Sequence, residues 1–552
     1  MYLRTVTRTN KDGSKVKYYQ LAHNERHPVT RKPVAKIIHN FGRDDEFDPD
    51  QLKRLCSSIA RVCGLKVVDP AKEPDNHENT QQADEFTLIG TRTFGSVLAI
   101  EALWEKLDIG NKLRKLCKKK KLKVPHERAL LAMTANRLCK PESKLGTWDR
   151  WLTTVYMPTC SSVKLDHMYE AMDFLHDHIA EVEEAIFFST ANLFNLDVDL
   201  IFYDTTTASF SVDQEDEIRK YGRSKEGGWN AQVVVALAVT KDGLPVRSWV
   251  FPGNTTDVNT IETVRKDLRD WNLNRTLFVA DAGLNSIKNR QELSRACGKY
   301  LLATRMASVA EIKKKVLSNR SRYIVLKDNL RAKEVIIGNG ERRRRYILCH
   351  NLKEEKRQKA HREEVVTYLK EELSKHKDKK ATARWAIDLL ASKRYKRYLT
   401  VTKTGKIRID RKKIKEVERY DGKWVIETND DTISLEDAAS GYKSLLVIER
   451  CFRSLKRTQI QMMPMYHRAN RRIKTHVKIC VLALLIERIA EQFCGVPWNH
   501  IRRELERLQA TEFLSETHRI IRRNEIAPTT QSTLKKLGIS VPNAVLALTP
   551  RT

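Results

Sequence analysis

At Val198 the spacing of apolar residues changes from helical to that of buried strands, and the order of elements beyond it admits few folds. Val198–Asp204 (VDLIFYD) is a short, nearly continuous apolar run of the kind found in strands covered on both faces. Ala231–Thr240 is a second such run, Lys241-Asp242-Gly243 supplies hairpin turn chemistry, and Leu244–Phe251 is a third. Asp257–Trp271 is amphipathic, and Thr276–Asp281 (TLFVAD) is a further short strand. Three strands joined by antiparallel turns, then a helix, then a strand, specify an α/β sheet with helices packed on it.

A chain of 552 residues exceeds one hydrophobic core, so three to five structural units are expected. Residues 1–45 read as short strands: Tyr2–Thr9, Val16–His23 and Val34–Phe41, with a hairpin turn at Asp12-Gly13. The charged stretch Asp69–Glu85 reads as a linker and residues 86–196 as helices. Residues 197–300 hold the strands above, 301–435 mix strands with basic helices, and helices resume over 436–495 and 496–552.

Lys and Arg number 102 against 70 Asp and Glu, a net charge of +32 spread along the chain. A distributed positive field favours a long polyanion, because every phosphate neutralised releases condensed counterions. On charge alone, binding to RNA or ribosomes fits as well as binding to DNA. Ten cysteines without a CxxC pair argue against structural zinc and against a disulfide framework, which suits a reducing cytoplasm. The first residues, MYLRTVTRTNKDG, lack the apolar core of a signal peptide, and the run Val481–Ile486 is too short to span a bilayer, so no membrane partner is expected.

Two acids stand at the ends of apolar runs, Asp204 in YDTTT and Asp281 in ADAGLNS. Strand ends in open sheets are where sites gather, and Asp is disfavoured within strands. The plain alternative is that each opens a turn or caps a helix. A third acid lies in YKSLLVIERCFRSLK, residues 442–456. At 100° per residue, Val447, Ile448, Cys451, Phe452 and Leu455 form one apolar stripe, and Tyr442, Glu449, Arg453 and Lys456 share the opposite face. An ordinary solvated face is the competing explanation.

Three carboxylates suit the cutting of a phosphodiester, which requires an activated water and a stabilised leaving oxygen. Two Mg²⁺ ions roughly 3.5–4 Å apart supply both, with Mn²⁺ able to substitute. Asp204, Asp281 and Glu449 are then both the catalytic and the metal-binding residues. Lys456 would lie along the phosphate backbone as a point charge.

With these residues in place, the sequence resembles the DDE transposases of bacterial insertion sequences, in particular the insertion-sequence-four superfamily. Their third acid lies in the signature Y-x2-R-x3-E-x6-K. Tyr442, Glu449 and Lys456 match that spacing, while Leu445 stands at the Arg position and Arg453 is the candidate substitute. SKEGGWNAQ at 224–232, FPGNTTD at 251–257 and PMYHRANRRIKTHV at 464–477 also resemble the family. The resemblance implies an RNase H-like catalytic core (197–300 and 436–495) with a mainly β insertion (301–435), flanked by helical DNA-binding segments. It further implies cut-and-paste transposition on double-stranded DNA, acting on terminal inverted repeats and target, by a homodimer at the bacterial nucleoid. Tyr442, Arg453 and Lys456 would contact DNA, and Trp385 or Trp424 would stack on an extruded base.

Asp257 reads as a helix N-cap, since the amphipathic segment starts at it. Lys225 and Gln232 suit either positioning DNA or plain loop and strand roles, and His467 and His476 suit packing or a DNA-facing position. A nuclease that cuts without joining, and an inactive DNA-binding protein, are the alternatives.

Overall fold

A computed structural model describes residues 2–9, 15–26, 33–43, 86–122, 124–194, 198–211, 214–273, 275–340, 343–376 and 384–551. The expected turn at Asp12-Gly13 and the expected linker Asp69–Glu85 lie outside these. The chain divides into two units, residues 1–83 and 84–552. In the first, β1 (Tyr2–Thr9), β2 (Lys15–Arg26) and β3 (Pro33–Arg43) form an antiparallel meander, as the alternation in the sequence predicts.

The second unit is built on one ten-stranded sheet. Its centre is β5 (Leu200–Ser209), antiparallel to β7 (Trp229–Thr240) and parallel to β9 (Leu277–Ala280). β8 (Pro245–Pro252) and the short β6 (Lys220–Arg223) both pair antiparallel with β7, and β10 (Lys299–Thr304) runs parallel to β9. Residues 231–240 are buried without alternation because both faces of the sheet are covered. Ile201, Tyr203, Phe278 and Ala280 pack on one side with Ile261, Val264 and Leu268 of the helix Ile261–Asp270. Phe202, Val233, Val235 and Val279 join the larger core on the other side, with the helix Asn470–Cys494 and with Ile448, Cys451 and Leu455.

The hairpin between β7 and β8 turns at Gly243, which has φ +82°. A side chain there would also sit 2.9 Å from Val447 Cγ1, on the helix that carries Glu449. Replacing Gly243 by alanine therefore combines left-handed backbone strain with a steric clash. We expect it to lower stability by about 1–2 kcal/mol, read as a shift in the urea unfolding midpoint.

Three expectations change. First, the strand holding Asp204 does not end there. Thr205–Ala208 are largely β-branched and stay paired with β7 out to Ser209↔Gln232, so Asp204 lies mid-strand. Second, residues 301–435 are mixed rather than mainly β. β11 (Ile324–Lys327), β12 (Leu330–Ile337), β13 (Arg344–Asn351) and β16 (Lys423–Thr428) continue the main sheet beyond β10. Between β13 and β16 run the helices Leu352–Lys375, Arg384–Ala391 and Arg411–Glu418 and the small hairpin of β14 (Leu399–Val401) and β15 (Ile407–Ile409). Val365, Leu369, Ala386, Leu389 and Ile407 give this excursion its own apolar cluster. The whole segment from the end of β10 to β16, strands β11–β13 included, leaves and rejoins at one rung, where Thr304 of β10 faces Val425 of β16.

Third, residues 496–552 are not simply helical. β4 (Thr87–Thr93), β17 (Gln509–Leu514), β18 (His518–Arg523) and β19 (Val545–Pro550) form a four-stranded antiparallel sheet. The strands QATEFL and HRIIRR pair with each other as a hairpin, and QATEFL gains its second partner, β4, from the opposite end of the unit, which a local reading does not register.

Candidate active site

The register of the central parallel pair brings the first two acids together. Tyr203 faces Ala280 across β5 and β9, so Asp204 and Asp281, the next residue on each chain, emerge side by side. Adjacent strands lie about 4.8 Å apart. Asp204 continues along β5 while β9 stops, so it lies where its neighbouring strand gives out. Neither acid does the ordinary structural job available to it. Asp204 opens no turn, and the side chain of Asp281 caps nothing in the short turn Ala282–Leu284 after it.

The third acid arrives on a segmented rod rather than one straight helix. A helix over Leu435–Lys443 is followed by another over Leu446–Arg453 and then a π-helical turn over Ser454–Thr458. Ile448, Cys451, Phe452 and Leu455 are buried as the apolar stripe requires, and Glu449 is exposed. The Tyr442 hydroxyl donates to Asp281 Oδ1 at 3.1 Å. Burial, together with the carboxylates of Asp281, Glu449 and Asp204, raises this phenol well above its ordinary pKa. One phenol thus feels all three acids.

The π turn changes the phase of the residues beyond Arg453. Lys456 is held inward, donating to Thr206 Oγ1 at 3.2 Å and pairing with Glu226 at 2.9 Å, and Arg457 joins the same Glu226 at 3.2 Å. Arg453 opens instead onto a cleft lined by Asp242, Arg450, Glu487 and Arg488, and Leu445 is buried in the core. Tyr442 thus bonds one of the acids, Lys456 reaches Thr206, two residues beyond Asp204, and Arg453 lines a different cleft.

A fourth carboxylate and a lysine complete the cluster. Asp257 is not the N-cap, a position held by Thr256. Its carboxylate accepts from Thr205 Oγ1 at 2.5 Å and lies 3.3 Å from Lys225 Nζ. That ammonium also donates to the carbonyl and hydroxyl of Thr205, each at 2.7 Å, and stands 3.7 Å from Asp204 Oδ1. Burial pushes the Asp204 carboxyl up to about 6; Lys225 and the Thr205 amide oppose this, and Asp257 and Asp281 add to it. Lys225 sits in a tight hairpin whose Gly227 and Gly228 have φ of +103° and +84°. The EGG run was the sequence signal for that turn, but nothing local pointed its lysine at Asp204. Trp229, next in the chain, is 68% exposed and was likewise missed.

Other expected residues fall elsewhere. Gln232 is buried and donates to the Gly253 carbonyl at 2.9 Å, a strand role. His476 hydrogen-bonds the Met462 carbonyl and packs on His467, with no contact to the acids. Trp385 stacks on His376, with ring centroids 4.5 Å apart, and Trp424 packs against the core.

Among the described residues no group of three or more His, Cys, Asp or Glu side chains is placed so that it could hold a metal ion. The chemistry of the site nevertheless fits a hard divalent cation. Its donors are all oxygen, its carboxylates repel one another, and an ammonium stands between Asp204 and Asp257 as a positive charge in their midst.

No helix among the described residues is long and apolar enough to cross a membrane. A family model described as the transposase DDE domain matches residues 197–486, over half of the chain. A second, the N-terminal domain of IS1634 family transposases, matches residues 3–71. No curated protein matches. Among solved structures, a piggyBac transposase synaptic complex with hairpin DNA aligns at 10% identity and a TM-score of 0.34, covering 75% of this chain and 79% of that one.

Proposed function

Because the chain belongs to the DDE transposases, enzymes that depend on divalent metal and act on DNA, we propose that Asp204, Asp281 and Glu449 are its catalytic carboxylates. The observation that carries this reading is the Tyr203↔Ala280 register, which delivers two acids side by side, with Tyr442 from the segment leading to Glu449 bonded to one of them. The order β8-β7-β5-β9-β10, with β9 and β10 parallel to β5, supports an RNase H-like core.

Two Mg²⁺ ions held by the three acids would supply a water acidic enough to attack phosphorus and a counter-charge for the leaving 3′ oxygen. The chain's own groups set the stage. Tyr442 fixes the carboxylate of Asp281, and Lys225 balances the charge of Asp204 and Asp257. Lys456 and Arg457 grip Glu226 and so hold the Lys225 hairpin against the π turn. Trp229, exposed on that hairpin, offers a stacking surface beside the cut. A homodimer holding two transposon ends is the working assembly we propose. The direct test is incubation of transposon-end DNA with a supercoiled target and Mg²⁺. Joined products support the reading, and cleavage without joining would reduce the enzyme to a nuclease.

The geometry of this site sets two expected outcomes. Asp257→Asn removes a charged partner of Lys225, worth about 1.5–3 kcal/mol for such hydrogen bonds, so cleavage should fall roughly 10- to 100-fold while end binding persists. Unchanged cleavage would reduce Asp257 to a scaffold residue. The second outcome concerns pH. The Asp204 carboxyl titrates at about 6, above its unfolded value of 3.8, so the folded state binds the proton more tightly. Metal-free protein therefore gains stability from this group below about pH 4 and loses it as pH rises through about 6. Cation binding competes with the same proton. MgCl₂ should raise the melting temperature above about pH 7 and have little effect below about pH 5. Equal Mg²⁺ shifts at both pH values would contradict this.

A further inference from the structure

A second basic site lies in a cavity of about 640 Å³ between the turn after the helix His126–Cys139 and the segment 461–467, which links the Glu449 region to the helix Asn470–Cys494. Arg137, Lys144 and His476 line it and are 5%, 4% and 6% exposed. Buried charges are ordinarily paired, and these are not. Arg137 spends its guanidinium hydrogens on neutral oxygens, the Gln461 carbonyl and Asn136 Oδ1, both at 3.3 Å, and its Nε has no partner. His476 bonds the Met462 carbonyl through Nε2 and leaves Nδ1 without a partner.

Glu142, the carboxylate on the rim, is committed to Arg150 at 3.1 Å and Lys140 at 3.3 Å. Among the described residues no carboxylate acts on Lys144. Burial and Arg137 push its amine down to about 7, and His467, beside it, is driven down to about 3 by burial and by Lys144, Arg472 and Arg137. The protein has assembled positive groups around a hollow whose lining carboxylate, Glu142, is already engaged by Arg150 and Lys140.

We propose that this cavity binds a phosphate group of the DNA strand that runs to the active site; the DNA part of this rests on the transposase reading above. Arg137 Nε and the Lys144 ammonium are donors to phosphate oxygens, and His476 Nδ1 becomes one by taking up a proton from the buffer acid as the anion arrives, the buffer base remaining in solution. Position supports a backbone phosphate over a free ion. The rim is tied to the far end of the strand that bears Asp204: Ser209 N–H donates to Met463 Sδ at 3.2 Å and Ser211 N–H to the Met465 carbonyl at 3.3 Å. Five residues of strand separate Ser209 from Asp204, on the order of 16 Å, which is roughly five nucleotides of rise. Exposed Tyr466 and the rim cation Arg150 line the mouth, a suitable lip for a polynucleotide.

The test uses the full chain, Lys144→Met and, should that variant fold poorly, His476→Gln, which keeps a donor for the Met462 carbonyl and removes Nδ1. Two readouts are taken: thermal shift with inorganic phosphate, and the salt dependence of binding to the duplex end of its own element. Wild type should be stabilised by phosphate and the variants much less. The log–log salt slope should fall by about 0.9 for one lost phosphate contact in Lys144→Met. Phosphate protection with an unchanged slope would overturn the DNA assignment and leave a small-anion pocket. Neither effect in a folded variant would overturn the site altogether. If the unsubstituted chain fails to cut end DNA, the transposase reading fails instead, and the phosphate arm still reports on the cavity.

Discussion

Asp281→Asn is expected to reduce cleavage of transposon-end DNA roughly 10³-fold or more, since losing a charged metal ligand removes several kcal/mol of transition-state stabilisation. The substitution keeps the size of the side chain and an oxygen that can still accept the Tyr442 hydroxyl, so the local packing should survive. DNA affinity should hold or rise, because a negative charge leaves a site that must receive phosphate. Asp204→Cys refines the test. A thiolate is a poor ligand for Mg²⁺ and a better one for Mn²⁺, so activity should be absent with the first and partly restored by the second. Asp242→Asn, at the exposed turn before Gly243, is the matched control and should cut at the parental rate. Parallel loss of binding and cutting in Asp281→Asn would mean that the acid holds the fold and not the metal.

The second large effect is ionic. With 102 Lys and Arg against 70 Asp and Glu, binding to duplex DNA should be dominated by counterion release. For about 6–10 phosphate contacts, affinity should drop by roughly 10³–10⁵ between about 50 and 200 mM salt. The slope of log affinity against log salt counts the contacts directly. A flat response would mean that recognition rests on uncharged contacts, and would remove the electrostatic basis for the basic cavity as well.

The parts of this protein that were legible in its sequence are those encoded by local pattern. The apolar runs located β5, β7, β8 and β9, and the wheel of Ile448, Cys451 and Leu455 put Glu449 on the exposed side of its helix. What was not legible depends on partners distant in the chain. Asp204 reads as a strand end because the acid interrupts an apolar run, yet Thr205–Ala208 extend the strand once β7 is there to pair with them. Asp257 fits the pattern of a cap, and only the fold brings Thr205 and Lys225 against it. Arg453 keeps the face it shares with Glu449 within the unbroken helix Leu446–Arg453, but helical spacing says nothing of the breaks before and after that helix, across which Tyr442 and Lys456 are placed. β17 looks unremarkable until β4, hundreds of residues earlier, pairs along its outer side.

The single rung shared by Thr304 and Val425 has an evolutionary and practical meaning. A detour that starts and finishes at facing positions of one antiparallel ladder can lengthen, shorten or be exchanged with almost no displacement of what lies downstream. The entropic cost of closing it grows only as about (3/2)RT ln n, so doubling its length costs about 0.6 kcal/mol. The number of residues between the second and third acids is therefore a poor guide to kinship among such enzymes, and alignments anchored on that interval will misplace the third. The same rung marks where a short turn can be grafted to make a smaller enzyme, provided the exposed flank of β16 is given charged residues to discourage edge-to-edge association.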